Sequence, residues 1–113
     1  MLLLPLLLLS LPAAAHSELR RSVPAAGAVL TQAPEQIELH FNERVQLTAL
    51  RLYREGSEEV TLPRRAIRSA TMEIITMPAL PPGAYRAEWR IISADGHPAG
   101  GVIPFRVEAP KRP

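Results

Sequence analysis

The chain is 113 residues long, enough for one domain, and its 13 Lys and Arg against 11 Asp and Glu leave a formal charge of +2. That small excess, with no basic run longer than two residues, excludes an electrostatic nucleic-acid binder, and 4% aromatics exclude a stacking platform for bases or sugars. The absence of cysteine excludes a disulfide framework, a thiolate zinc site, an iron–sulfur cluster and a blue-copper centre.

Residues 1–15 read MLLLPLLLLSLPAAA, with nine Leu or Met and no charge before Glu18. The run is too short to cross a bilayer as a helix, which takes about 20 residues. Ala13 and Ala15 supply the small residues of an A-x-A cleavage site. This segment is therefore expected to be a secretory signal peptide. Cleavage after Ala15 makes His16 the first mature residue and places the protein outside the cytoplasm.

The remainder follows period two, the signature of half-buried strands. A first strand is expected near Ser17–Val23, followed by the turn residues Pro24 to Gly27. Ile37 to Asn42 alternates apolar and polar residues, and Leu50 and Leu52 share a face after it. Weaker strands are expected over Glu58–Leu62 and Thr71–Met77. From Tyr85 to Ile91 the odd positions are apolar and the even ones charged, and Ile103, Phe105 and Val107 share a face near the end. Turn residues stand between the runs, at Ala33-Pro34, Glu55-Gly56-Ser57, Pro81-Pro82-Gly83 and Gly100-Gly101. About seven short strands predict an all-β, Ig-like antiparallel sandwich with Greek-key connections over residues 16–108. Residues 109–113 form a polar, proline-rich tail.

Two places carry chemistry. If the mature chain starts at His16, its free α-amine and the ring Nδ1 close a six-membered chelate with a metal. Two neutral nitrogens suit Cu(II), and an amine pKa of about 7.7–8.0 lets a metal displace the proton near neutrality. The second place is Ser93-Ala94-Asp95-Gly96-His97-Pro98. Asp95 and His97 are two apart, so in extended backbone their side chains point the same way, with Pro98 restricting His97. Three nitrogens and a carboxylate oxygen fit tetragonal copper. Taken singly, the D-G-H triplet reads as an ordinary turn and His16 as an accident of cleavage; their joint presence is the signal. His40 reads as a solvent-facing strand histidine beside Glu38 and Asn42. Met72 and Met77 are five apart, on opposite faces of a regular strand, so they build no thioether cluster for Cu(I). Trp89 reads as core, and Arg86 and Arg90 as solvated surface.

The mature chain resembles the CopC-type periplasmic copper-binding proteins over nearly its whole length. The resemblance rests on His16 after the leader, Ser22-Val23-Pro24-Ala25-Ala26-Gly27, Phe41-Asn42-Glu43-Arg44-Val45, and above all Leu80 to Val107 with Trp89-Arg90-Ile91-Ile92-Ser93-Ala94-Asp95-Gly96-His97-Pro98. It implies a Greek-key sandwich and a Cu(II) site made of His16, Asp95 and His97, with Glu43 orienting the amine or the His16 ring from outside. The chain departs from many members in carrying Glu18 where they begin H-x-H, and it lacks the methionine-rich Cu(I) loop of others. Some members are fused to a membrane copper transporter of the CopD type; here such a partner is expected to be a separate inner-membrane protein.

The function expected is copper carriage, buffering or resistance in the periplasm, without turnover. A copper-dependent oxidative enzyme with an N-terminal histidine chelate is the alternative from another class. A metal-free secreted sandwich module is the third reading.

Overall fold

The computed structural model describes Leu3 and residues 18–110. Apart from Leu3, the expected leader, His16 and the last three residues of the tail lie outside the described residues. Seven strands run in chain order: β1 (Leu19–Val23), β2 (Ala28–Leu30), β3 (Gln36–Arg54), β4 (Glu58–Val60), β5 (Ser69–Thr76), β6 (Gly83–Ser93) and β7 (Pro98–Val107).

The long β3 organises the molecule. Its first half pairs antiparallel with β1 and β5, and its second half with β6 and β4. β7 continues from β6, and β2 closes that side. β3 thus belongs to both layers of an all-β sandwich. Ile37, Leu39, Phe41 and Ile75 come to the core from one layer, and Leu52, Ala87, Ile91 and Phe105 from the other. Phe41 meets Trp89 edge to face between the layers, with ring centroids 5.7 Å apart. All the pairings are antiparallel except β2 with β7, which is parallel. That pairing departs from the antiparallel expectation because β2 is reached by the turn after β1, not through a hairpin with β7.

The runs predicted separately at 37–42 and 50–54 are one strand. Two irregularities hide its continuity. The β5 register slips between His40 and Val45, where β3 passes from one layer to the other. The β6 register slips again at Thr48: Leu47 faces Ile91 while Ala49 faces Arg90, so two steps on β3 match one on β6. This bulge exchanges the inward parity from odd to even residues. Val45 and Leu47 therefore face the core before it, and Leu52 after it.

Gly100 and Gly101 lie within β7, opposite Arg90 and Trp89, and are not a turn. Their smallness has another cause. A Cβ on Gly101 would stand 2.8 Å from Cζ2 of Trp89, so the glycine makes room for the indole.

Candidate metal centre

The alternating pattern of β6 holds along its length, with Tyr85, Ala87, Trp89, Ile91 and Ser93 buried. At Ser93 the strand ends and the chain reverses into β7. Gly96 makes the reversal with a φ of +86°, in the left-handed region that glycine enters freely. Asp95 and His97 thus converge through a turn. The extended geometry expected from their spacing is not what brings them together, because glycine between them bends the backbone.

Five residues close this turn on themselves. The Ser93 N–H donates to the His97 carbonyl and the Gly96 N–H to the Ser93 carbonyl, each at 2.9 Å. The His97 N–H donates to Ser93 Oγ at 3.0 Å, and the Ser93 hydroxyl donates to Asp95 Oδ1. Asp95 Oδ2 lies 2.9 Å from His97 Nδ1. These contacts hold the Asp95 carboxyl below its ordinary pKa, the Ser93 hydrogen bond contributing most and the His97 contact next.

Both donor side chains remain open to solvent, His97 at 81% and Asp95 at 66% relative exposure, so an ion can reach them. Asp95 Oδ2 and His97 Nδ1, 2.9 Å apart, stand at hydrogen-bond distance. In the neutral ring, an Nδ1 proton donated to Asp95 leaves Nε2 with its lone pair toward solvent. Among the described residues, no group of three or more His, Cys, Asp or Glu is placed to hold a metal. Asp95 and His97 are a pair, one short of such a group.

The entrance of the chain lies at the same end of the sandwich. The Glu18 N–H donates to Asn42 Oδ1 at 2.8 Å, and the Asn42 N–H donates to the Glu18 carbonyl at 3.0 Å. Three residues beyond Asn42, Val45 pairs with Ser93. Glu18 also lines an open cleft with Leu19, Ser22, Trp89 and Ala99, and Ala99 follows His97 by two residues. Glu43 is half-buried in the stretch where β3 changes layer. His16 lies outside the described residues.

The other residues singled out from the sequence fall elsewhere. His40 is half-buried, with Arg21 Nη2 at 3.1 Å and Glu38 Oε1 at 3.3 Å from its Nε2. Met72 is 41% exposed and Met77 is in the core, which separates the two sulfurs as predicted. Trp89 is buried as expected. Arg90 is exposed, while Arg86 is half-buried, stacked 4.4 Å over the Tyr53 ring and donating to the Gly56 carbonyl.

Sequence reasoning gave Ser93 no part in the site, and the structure makes it the centre of the turn. The available signal was a hydroxyl residue ending a strand two positions before an aspartate, a pattern suited to local side-chain capping.

The CopC domain model matches residues 19–108. The chain is 37% identical over 111 residues to the copper transport protein CutJ of Bacillus subtilis, covering 94% of this chain but only 20% of that protein. It is 36% identical to copper resistance protein C of Escherichia coli, covering 85% of this chain and 84% of the relative. Among solved structures, PcoC, a methionine-rich copper resistance protein from Escherichia coli, superposes with a TM-score of 0.64 at 36% identity, covering 83% of this chain and 100% of that one. CopC from Methylosinus trichosporium shares the fold at a TM-score of 0.73 and 22% identity, covering 86% of this chain and 98% of that one.

Proposed function

The chain belongs to the CopC family of copper-binding, copper-resistance proteins, which are not enzymes, and from that membership we propose that it carries or buffers Cu(II) in the periplasm. Copper is its cargo. Cu(II) is held by the amine and imidazole nitrogen of a processed His16 together with Asp95 and His97. Family membership sets aside the oxidative enzyme and the metal-free module.

The observation that carries this reading is the exposed Asp95–His97 pair, 2.9 Å apart, on the end of the sandwich where Glu18 is fastened to Asn42. Two residues reach at most about 7 Å, so His16 is tethered within a short span of that anchor. Glu43 is beside the same anchor in sequence and is assigned to orient the amine or the His16 ring.

The chain's own residues control uptake and release. The amine and imidazoles bind only when deprotonated, so uptake displaces protons and acidification opposes it. The low Asp95 pKa keeps its carboxylate charged and available through that range. Reduction to Cu(I) favours softer ligands, and this nitrogen and oxygen set then lets go. The proposed recipient is a CopD-type inner-membrane copper transport protein; the chain corresponds to one-fifth of the length of a relative named for copper transport.

Titrating Cu(II) into protein beginning at His16, and into protein with one extra residue before it, tests this reading. The extension converts the amine to an amide and breaks the chelate, so its affinity falls by about 10²–10⁴-fold, as expected for separating two linked binding groups. Equal affinities overturn the reading.

A further inference from the structure

We infer that Ser93 is the positioning residue of the copper site, aiming both Asp95 and His97 through one buried hydroxyl; the inference rests on the copper reading above. A hydroxyl has one proton to donate and two lone pairs. The Ser93 hydroxyl donates its proton to Asp95 Oδ1 and accepts the backbone N–H of His97 at 3.0 Å. The first bond turns the carboxylate so that Oδ2 faces His97 Nδ1 at 2.9 Å. The second fixes the backbone that carries the imidazole.

Ser93 can do this because its own place is set elsewhere. It is 7% exposed and paired with Val45 in β3, while the two donors it holds stand in solvent. The side chains needing mobile access for an ion are thus tied to an immobile atom in the sandwich. Without the hydroxyl, Asp95 and His97 keep their chemistry but lose their common direction. The copper shell must then be organised at the moment of binding, at a cost in affinity.

Four proteins, each beginning at His16, test this: wild type, Ser93→Ala, Ser93→Thr and His97→Ala. The readouts are Cu(II) affinity and the electron paramagnetic resonance spectrum at one equivalent of copper. Ser93→Ala weakens Cu(II) by about 10–100-fold, the usual effect of removing an outer partner, and broadens the spectrum into more than one species. Ser93→Thr keeps the hydroxyl and restores both affinity and spectrum. Wild-type affinity and spectrum in Ser93→Ala, alongside weakening in His97→Ala, overturn the role of Ser93 and leave the copper reading standing. An unchanged affinity in His97→Ala overturns the copper reading and the inference with it.

A measurement on the wild-type protein alone guards against a variant that fails to fold. The His97 amide, bonded to Ser93 Oγ, exchanges slowly with solvent although its side chain is exposed. Exchange at the rate of an unstructured peptide overturns the inference.

Discussion

Asp95 and Glu73 are both carboxylates held by hydrogen bonds, and their surroundings give them opposite uses. Glu73 points inward from β5 and is 5% exposed. Arg65 and Arg68 reach it at 3.5 and 3.1 Å from the segment before β5, and Arg65 also donates to the Leu47 carbonyl. The charge of Glu73 is spent on two guanidinium groups that fasten this segment against the sandwich. Asp95 faces water, and its partners are a hydroxyl and an imidazole that can itself bind a metal. Burial with fixed cations makes a carboxylate structural. Exposure beside another donor leaves it available to an ion.

Substitutions at the two places should separate stability from copper binding. The largest effect on stability is expected from Glu73→Ala, which leaves a partly exposed Arg65 and an exposed Arg68 without their carboxylate and lowers stability by about 2–3 kcal/mol in chemical denaturation. Its copper affinity should match wild type wherever the protein is folded. His97→Ala should reverse the pattern, with thermal unfolding unchanged and Cu(II) affinity lowered by more than about a hundredfold, beyond what loss of an outer partner causes. Gly101→Ala probes the sheet that carries both elements. Its new Cβ would meet the Trp89 ring at 2.8 Å, and the overpacking should cost about 1–3 kcal/mol.

The smallest effect concerns pH. The folded-state pKa of Asp95 is depressed, so the stability it contributes is present above the unfolded aspartate value, about 3.9, and is lost as pH falls through the lower folded value. Carboxyl carbon resonances followed by NMR in the copper-free protein should show Asp95 titrating below ordinary aspartates. Ser93→Ala should move it back toward them.

How far the sequence could be read depended on whether a rule held locally. In β6 one face is buried and the other is open, so strict alternation from Tyr85 to Ile91 identified both strand and core face. That Asp95 and His97 stand together was legible because a two-residue spacing survives a change from strand to turn. β3 was not legible as one strand: the bulge at Thr48 exchanges its inward parity, and the polar residues Asn42 to Arg44 cover its passage between layers. Gly100 and Gly101 looked like a turn because their reason for being small, the Trp89 ring, lies on another strand. Glu73 carried no local sign of its burial either, since its partners lie five and eight residues earlier in a segment without regular structure.

In the proposed site the start of the mature chain and the D-G-H turn meet at one copper ion. Adding a small fraction of an equivalent of Cu(II) to ¹⁵N-labelled protein beginning at His16 tests it most directly, because the paramagnetic ion broadens the amide signals around it. Glu18, Asn42, Glu43 and Ser93 to His97 are expected to broaden together at the same copper dose, while Tyr53 and Glu59, paired at the far end of β3, stay sharp. Broadening of Glu18, Asn42 and Glu43 without Ser93 to His97, or the reverse, or broadening centred on His40, would contradict that meeting.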